Sequence, residues 1–551
     1  MYSAEPLLPF AENYLTYLYE THPTAAAVDG VHQYDDLLED PNRTALEGQA
    51  RELGGLVRRL AAIGKSSMTQ TEQIDREMLT ANIRARIFEL EKVRSWERNP
   101  QRHAEALATS LAVQALFPYA TMEERARRIL SKLRQAPRLV DTARKTIQDP
   151  PGIFIKEGLI SFNGVVEFIE RDLPRALADL DDMHLLSDLA DASMEAVAAI
   201  RGYTEHLRTE VAPTARGSFR LGRDHFDEKL DLEEGITLGA DRLLAIAQRE
   251  LRETQEEFRT VAGRLGGDIA AALKRVKQDH PADDGLVSTA QQQVTELAAF
   301  VERTGLVSVP GRDAPVVAST PPFYRWTFAS LWAPGPFETR PLPTYYYLTG
   351  VDPAWTPERQ ERHLRDFHTG ALWAISMHET YPGHFLHYQH VCHIESKLRK
   401  SSLLASIGFI EGWAHYGEQL MIEAGFGHKD DHLKFGQLAE ALIRLARLVV
   451  GIRLHAEDMS VEQGMRFFRD EAFMEEESAR REAERGTFDP GYVVYSAGKL
   501  MLLKLRADFE AKQQSRFSLK AFHDQLLGNG SVPFWMHRRL MLGSDPGAAL
   551  A

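Results

Sequence analysis

The sequence predicts a mainly α-helical protein, and three observations support this class. From the N-terminus to about Glu302, and again from Pro357 to about Phe509, apolar residues recur at spacings of three and four among many Ala, Leu, Glu and Arg residues. Strand signals are scarce outside one proline-rich region. Of the 551 residues, 44% are hydrophobic and 26% are charged, which is close to the average for a globular protein. The composition therefore argues against intrinsic disorder.

The first helical region is expected to consist of packed antiparallel helices. Residues 121–146 have a helical pattern that we expect to break near Pro137, because proline removes a backbone donor. Residues 239–265 separate charged from apolar positions onto opposite helix faces. Short segments with proline and small polar residues, at 149–152 and 212–214, are expected to separate helices.

A small β element is expected between Pro310 and Pro353, where nine of the 26 prolines lie among aromatic and β-branched residues. Residues 315–320 and 344–349 are predicted to be short strands, bounded by Pro and Gly as edge strands often are. The simplest arrangement of the two strands is a surface β-hairpin. This element precedes the helical stretch that contains the candidate site.

Charge and cysteine content exclude several classes of function. Lys and Arg total 65 against 79 Asp and Glu, a formal charge of −14, and no long basic run could neutralise a phosphate backbone, so nucleic acid is not expected as a partner. The single cysteine, Cys392, cannot supply an intramolecular disulfide or a multi-thiolate metal site. Any metal must therefore be held by histidines and carboxylates.

The expected location is cytoplasmic, with no membrane partner. No stretch approaches the ~20 uncharged apolar residues of a membrane-spanning helix. The first twenty residues include Glu5 and Glu12, and they lack a basic segment and a small-residue cleavage site.

A dense histidine cluster lies in residues 373–390, WAISMHETYPGHFLHYQH. Within thirteen positions the segment contains His378, Glu379, His384, His387 and His390. A metallopeptidase helix usually carries two histidines four residues apart, with a glutamate after the first. Here the spacing from His378 to His384 is six, which on an ideal helix leaves them about 120° apart and about 9 Å apart along the axis. Pro382 and Gly383 lie in the gap and can interrupt the helix, so that both imidazoles reach one metal. The alternative is a cluster of structural histidines.

A third ligand is available in residues 409–421, FIEGWAHYGEQLM. Glu411, His415 and Glu418 are spaced i, i+4 and i+7 on one helix face. We expect Glu411 to be the ligand, with Glu418 as the alternative ligand or a solvated carboxylate. His415 would orient a ligand imidazole or contact the substrate. Two histidines and one glutamate would bind one zinc ion per chain and leave a position open for water, whose pKa zinc lowers toward about 7.

Glu379 is the expected general base, which would then pass a proton to the leaving amine. Attack on an amide also needs a donor for the developing oxyanion, usually a tyrosine or a histidine. Tyr495, Tyr492 and His455 are the candidates. The structural alternatives are that Tyr492 is a core residue and that His455 is a capping or partly exposed residue.

The motifs HETYPGH, EGWAHYGEQL, RLVVGIRLH and RGTFDPGYVVYSAGKL occur in this order. With them the chain resembles, over about residues 115–510, the bacterial family catalogued as domain of unknown function 885, a group of zincin-like metallopeptidases. That family is more distantly similar to helical glutamate-zincins such as thimet oligopeptidase and angiotensin-converting enzyme. The resemblance implies two mostly helical lobes around a deep channel. We divide the chain into an N-terminal helical region, 1–230, and a zincin-like catalytic region, 231–551, which together form one two-lobed unit.

The resemblance also implies roles for individual residues. It puts the metal on His378, His384 and Glu411, the base on Glu379 and oxyanion stabilisation on Tyr495. It makes strand 344–349, which contains Tyr346, an edge that could pair with an extended peptide substrate.

The function that follows is a zinc-dependent hydrolase of peptide bonds in short peptides, either an oligopeptidase or a carboxypeptidase. One alternative is a zinc amidohydrolase acting on a non-peptide metabolite. Another is a non-catalytic helical binding or scaffold protein whose histidines are merely packed. The sequence sets neither the oligomeric state nor the choice between exopeptidase and endopeptidase, although it offers possible anchors for a substrate carboxylate in Arg340, Arg453 and Lys499.

Overall fold

Both compact units of the protein are mainly helical, which confirms the predicted fold class. The computed structural model describes residues 7–64, 68–321, 325, 327–543 and 547–550. The first unit comprises Met1–Arg220, Pro334–Pro343 and Ser401–Leu404. The second unit comprises Leu221–Ala333, Thr344–Lys400 and Ala405–Ala551.

Ten α-helices make up most of the described part of the first unit. In chain order they are α1 (Leu7–Thr21), α2 (Pro23–Asp29), α3 (Arg43–Ala62), α4 (Gln70–Phe88), α5 (Ser95–Arg98), α6 (Gln101–Leu116), α7 (Met122–Thr146), α8 (Gly152–Glu167), α9 (Leu173–Ala176) and α10 (Met183–His206). A single π-helical turn extends each of α4, α8 and α10, at Glu89–Val93, Phe168–Asp172 and Leu207–Val211. Short 3₁₀ turns lie at His32–Tyr34 and Ser402–Leu404.

The expected break near Pro137 is wrong, because α7 runs through this residue without interruption. The hydroxyl of Thr121 caps the start of α7 by accepting a hydrogen bond from the backbone of Glu124. The buried face, which includes Leu133 and Ala136, packs against α6 and α10. Proline removes only one backbone donor, and this tertiary packing outweighs that loss.

Asp29 joins the two short segments of the first unit to its helices. Its buried carboxylate accepts hydrogen bonds from the hydroxyls of Tyr19, at 2.8 Å, and Ser401, at 2.6 Å, and from the backbone of Ser402, at 3.0 Å. The Asp29 carbonyl accepts a hydrogen bond from the backbone of Phe337 at 3.0 Å. The carboxylate of Asp29 therefore fixes residues 401–404, and its backbone carbonyl fixes residues 334–343, to the end of α2.

The second unit contains the candidate site and, in its described residues, fifteen α-helices and one small sheet. The helices are α11 (Arg223–Glu234), α12 (Ala240–Arg264), α13 (Ile269–Val276), α14 (Asp283–Thr304), α15 (Pro357–Asp366), α16 (Thr369–Glu379), α17 (His384–Cys392), α18 (Lys397–Lys400), α19 (Ile407–Glu423), α20 (Asp431–Ala456), α21 (Val461–Glu471), α22 (Glu476–Phe488), α23 (Val494–Gln513), α24 (Leu519–Gly528) and α25 (Phe534–Leu542). Short 3₁₀ turns lie at Pro490–Val493 and Gln514–Arg516. The strands are β1 (Val316–Ser319), β2 (Ala329–Trp332) and β3 (Tyr345–Leu348).

The sheet differs from the expected hairpin. Its order is β1-β3-β2, with β1 parallel to β3 and β2 antiparallel to β3. The two predicted strands are thus neighbours but run in the same direction, which a hairpin cannot do. Strand β3 is central, so the expectation that residues 344–349 form an edge for a substrate is wrong. Strand β2 was not predicted, because all four of its residues are half-buried and show no alternation.

Glycines allow the helices of the candidate site to pack with their backbones in contact. A Cβ added to Gly412 of α19 would lie 2.5 Å from the carbonyl carbon of Gly498 in α23. A Cβ on Gly498 would overlap the carbonyl oxygen of Gly408. Gly370 of α16 and Gly436 of α20 meet in the same way. These close crossings fix α19 against α23 and α16 against α20.

Replacement of Gly412 by alanine should therefore destabilise the protein. We expect a loss of about 2–4 kcal/mol, because the backbone of α23 cannot move away without disturbing the core. The control is Gly263→Ala in α12, where an added Cβ meets nothing within 4 Å. This substitution should stabilise the protein by up to about 1 kcal/mol, because alanine favours the helix more than glycine does. Urea unfolding of the two variants and the parent measures both effects, and equal midpoints for the two variants would refute the tight crossing.

Candidate metal centre

The segment between α16 and α17 sets the direction of the second histidine. Helix α16 ends at Glu379 and α17 begins at His384. The backbone N–H of Gly383 donates a hydrogen bond to the carbonyl of Met377 at 3.1 Å, and a Cβ on residue 383 would overlap the carbonyl oxygen of His378. Only glycine fits this close approach, so the helix interruption depends on Gly383.

Helix α19 holds this segment in place. The indole N–H of Trp413 donates a hydrogen bond to the carbonyl of Pro382 at 2.8 Å, and Trp413 is fully buried. A Cβ added to Gly417 would lie 3.1 Å from Cγ of Pro382. The tryptophan satisfies a carbonyl that the interrupted helix leaves free, while the glycine makes room for the proline ring.

Three side chains predicted as ligands converge in the structure. His378, His384 and Glu411 each offer one ligand atom, and these atoms lie within 4.8 Å of one another. Oε2 of Glu411 lies 3.5 Å from Nε2 of His378 and 3.7 Å from Nε2 of His384. Tetrahedral zinc with bonds of about 2.0–2.2 Å places its ligand atoms roughly 3.3–3.6 Å apart. The donor types and their separations therefore fit a zinc ion.

The charges of the three side chains are strongly coupled. Although burial raises the pKa of Glu411, the nearby His384 and His378 hold it well below its usual range. Burial and Arg444 lower the pKa of His378, but hydrogen bonds with Glu411 and Glu418 raise it to about 9. A metal that binds here would replace a proton of the imidazole, as is usual for histidine ligands.

Glu418 orients the first histidine, a role that the sequence did not assign to it. The residue is fully buried, and its Oε1 accepts a hydrogen bond from Nδ1 of His378 at 2.8 Å. Arg444 lies 3.3 Å from the same oxygen. The bond keeps the proton on Nδ1 and leaves Nε2 facing Glu411. Glu418 is thus neither the third member of the ligand group nor a solvated carboxylate.

Glu418, and not His415, contacts the imidazole of His378. The alternative that His415 contacts the substrate stays a prediction. His415 is buried, and its Nε2 lies 3.5 Å from Nζ of Lys499. The spacing of Glu411 and Glu418, two helical turns, could have indicated the correct role. Carboxylates at i and i+7 on one face can meet opposite nitrogens of a single imidazole lying across the helix.

The proposed base follows the first ligand directly in the chain, and the proposed oxyanion donor lies near Glu411. Glu379 is half-buried and directly follows His378. Tyr495 is also half-buried, and Arg485 donates a hydrogen bond to its hydroxyl oxygen at 3.2 Å. Burial and the neighbouring Glu411 carboxylate raise the pKa of Tyr495, so the hydroxyl keeps its proton and can donate it to an acceptor.

Two of the predicted site residues are packed in the core. Nε2 of His455 donates to the carbonyl of Gly486 at 2.7 Å, and the ring stacks on Phe226. His455 is buried, so the alternative that it is a partly exposed residue is wrong. Tyr492 is fully buried against Gly486 and Gly451. We therefore retain Tyr495 as the oxyanion donor.

Tyr346 and the remaining histidines of the cluster also have structural partners. The hydroxyl of Tyr346 lies 3.1 Å from that of Ser376, and Tyr346 is fully buried, so it cannot contact a substrate. His387 contacts the hydroxyl of Ser531 at 3.0 Å. Nε2 of His390 donates to the carbonyl of Ser308 at 2.8 Å. Burial lowers the pKa of His387 to about 3, which keeps the ring neutral.

The fold and the site define a mainly helical protein with a group of two histidines and one glutamate that fits a metal. The chain belongs to the family described as bacterial protein of unknown function (DUF885), whose profile matches residues 23–541. No curated protein matches the chain.

Two solved structures share the fold. The first is "a putative lipoprotein of unknown function" from Shewanella oneidensis, with 24% identity, a TM-score of 0.81, and coverage of 98% of this chain and 100% of that chain. The second is "the putative lipoprotein" from Colwellia psychrerythraea, with 18% identity, a TM-score of 0.78, and coverage of 97% and 98%. At these identities the likeness extends to the fold alone.

The expected cytoplasmic location is wrong on this comparison, since both of these relatives are named as lipoproteins. The expectation rested on the composition of the first twenty residues, which does not fix where a protein resides, and Glu5 lies outside the described residues. Within the described part of the chain, no helix is both long enough and apolar enough to cross a membrane.

The buried carboxylate of Glu234 lies at the start of α19. It accepts a hydrogen bond from the backbone of Gly408 at 2.9 Å and contacts the hydroxyl of Ser406, the residue that caps this helix. Burial is the main cause that raises the pKa of Glu234 to about 7. The helix that carries Glu411 and Glu418 therefore begins at a group that titrates near neutrality.

Replacement of Glu418 by glutamine should weaken zinc binding by about 10–100-fold, because the His378 ring loses its charged acceptor. Competition with a chromophoric chelator measures the affinity. The matched control is Glu423→Gln on the same helix, whose carboxylate pairs with Arg506. If Glu418→Gln binds zinc as tightly as this control does, the orienting role is refuted.

Glu234 should make stability depend on pH. Its pKa is raised on folding from 4.5 to about 7, so the folded state holds this proton more tightly than the unfolded state. The contribution of Glu234 to the free energy of unfolding is fully present below pH 4.5 and is lost as the pH rises through 7. The loss is up to about 3 kcal/mol. Glu234→Gln cannot ionise and should flatten this part of the profile, unlike the more exposed neighbour Glu233→Gln. Urea unfolding at pH 5 and pH 8 tests this, and identical pH slopes in the parent and Glu234→Gln would contradict it.

Proposed function

We propose that the protein is a zinc-dependent hydrolase of peptide bonds in short peptides. The observation that carries the proposal is the convergence of His378, His384 and Glu411, with Glu379 directly after the first ligand. The resemblance of the family to zincin-like metallopeptidases supports the same reaction type, since those enzymes use this combination of ligands and base.

Zinc held by these three residues would supply Lewis acidity, which acidifies a water molecule and polarises a carbonyl group. Glu379 is the base. Its carboxylate takes a proton from the water that adds to the peptide carbonyl carbon, and then gives this proton to the leaving nitrogen as the C–N bond breaks. The hydroxyl of the water ends on the new carboxyl group and its proton on the new amine, so no other reactant is needed.

Tyr495 is the donor for the oxyanion. Because Arg485 donates to the tyrosine oxygen, the phenolic O–H stays free to donate to the carbonyl oxygen as negative charge develops there. The guanidinium of Arg447 lies 5.3 Å from the centre of the Tyr495 ring, a distance at which cation and ring attract each other. Both arginines therefore favour the present position of the Tyr495 side chain.

The limited exposure of the ligand group favours short substrates. The side chains of His378, His384 and Glu411 are only 8%, 16% and 18% exposed. A peptide bond must therefore enter a recess to reach them. An extended short peptide can enter such a recess. A peptide bond of a folded protein cannot, because the rest of that protein holds the bond in place and is too large to follow it.

Replacement of Glu379 by glutamine should reduce peptide hydrolysis by about 10²–10⁴-fold while the zinc content stays unchanged, because the amide cannot accept the proton. Tyr495→Phe should lower kcat more than it changes KM. Mass spectrometry of a library of short peptides measures turnover, with Glu395→Gln, on the exposed surface, as the control. Full activity of Glu379→Gln would remove the proposed base, and the absence of any cleaved peptide in the parent would refute the peptidase function.

A further inference from the structure

Lys499 of α23 lies close to the candidate metal centre. Among the described residues it has no acidic partner at ion-pair distance. Its ammonium group lies 3.5 Å from Nε2 of His415. The side chain is partly exposed, although burial lowers the pKa of its amine to about 8. The carboxylates of Glu418 and Glu423 raise this pKa but do not lie at ion-pair distance, so the ammonium group can still pair with a further anion.

The arginines around Lys499 are matched by acids. Arg444 lies 3.3 Å from Glu418 and 3.3 Å from Glu440. Arg447 pairs with Glu482 at 2.7 Å, and Arg485 pairs with Asp489 at 2.9 Å. Acidic residues are therefore not scarce in this part of the second unit, and their scarcity does not explain why Lys499 lacks an acidic partner.

The position of Lys499 relates it to the reaction. Tyr495 and Lys499 are four residues apart on α23, so they lie on the same helix face about 6 Å apart along the axis. Their neighbours on α19, Glu411 and His415, are also four residues apart, and they approach Tyr495 and Lys499 respectively. Lys499 thus lies one helical turn beyond the proposed oxyanion donor.

His415 is the hydrogen-bond partner of Lys499 and carries no charge. Burial holds the pKa of His415 well below its usual range, so the ring is neutral. Since Lys499 donates toward Nε2, the proton of the ring is on Nδ1, which is buried and has no hydrogen-bond partner in the described residues. Lys499 therefore has a neutral hydrogen-bond partner in His415 and no charged partner, which leaves its charge available to a carboxylate.

We propose that Lys499 binds a carboxylate of the substrate. An extended peptide advances about 3.3 Å per residue, so a carboxylate at Lys499 would lie one or two residues beyond the bond that is broken. If the carboxylate is the C-terminus, the enzyme is a carboxypeptidase that releases one residue or a dipeptide. This inference rests on the proposed peptidase function and specifies its substrate class.

The other two cations that the sequence offers as anchors have structural partners. Arg340 belongs to the first unit, where it donates to the carbonyl of Pro118. Arg453 lies 3.7 Å from Glu457 on the same stretch of chain. Both side chains thus already have partners within their own units, so Lys499 is the anchor that the geometry favours.

The test is titration calorimetry in the Glu379→Gln background, which prevents turnover. The probes are N-acetyl-Ala-Phe acid, N-acetyl-Ala-Phe amide and N-acetyl-Ala-Glu amide. We expect the acid to bind about tenfold or more tightly than the Phe amide, and Lys499→Met to reduce this ratio to about one, as expected for loss of a charged hydrogen bond. Lys504→Met removes an exposed lysine of α23 that pairs with Asp508, and it should leave the ratio unchanged.

Each outcome decides the proposal. The proposal is overturned if the ratio of the affinities for the acid and the Phe amide persists in Lys499→Met. It is also overturned if the protein with Lys499 intact binds the acid and the Phe amide equally, or binds neither. Tight binding of the Glu amide, lost in Lys499→Met, supports a side-chain carboxylate as the ligand in place of the C-terminus. If Lys499→Met does not fold, as judged by its melting temperature, Lys499→Gln gives the same comparison. Failure of the unsubstituted protein to cleave any peptide is a separate result, which refutes the peptidase function and leaves this binding measurement unaffected.

Discussion

The interruption between His378 and His384 is the constraint on which the candidate centre depends. Two histidines six residues apart on a straight helix cannot bind the same metal ion. The chain leaves the helical path after Glu379 and resumes it at His384. The contact between Gly383 and the His378 backbone, and the hydrogen bond from Trp413, fix this path. Both imidazoles then face the same oxygen of Glu411.

Around this interruption, buried charges are arranged in complementary pairs. The imidazole of His378 lies between Glu411 on one nitrogen and Glu418 on the other. Arg444 in turn contacts Glu418, so the acidic group behind the histidine is itself compensated. Such groups are stable in a protein interior only when each has a partner. Lys499 departs from this pattern, because the partly exposed side chain has no carboxylate at ion-pair distance among the described residues, and the proposed substrate carboxylate would supply that partner.

The sequence was sufficient to predict the helical class and to single out His378 and His384, because both depend on local spacing. The choice of Glu411 over Glu418 rested on the resemblance to helical glutamate-zincins, since it depends on how α19 packs. The sequence could not predict features set by contacts between distant segments. Helix packing carries α7 through Pro137, and the parallel pairing of β1 with β3 brings together strands that are far apart in the chain. The orienting role of Glu418 likewise depends on how α19 lies against α16.

The measurement that tests the central claim most directly is the metal content of the purified protein by plasma mass spectrometry, alongside His384→Ala and Glu411→Ala. We predict about one zinc per chain in the parent, as for a site of two histidines and one glutamate, and its loss or marked weakening in both variants. A parent protein that is purified without chelator, offered zinc, and still holds none would contradict the account. The histidines and Glu411 would then be a packed polar cluster.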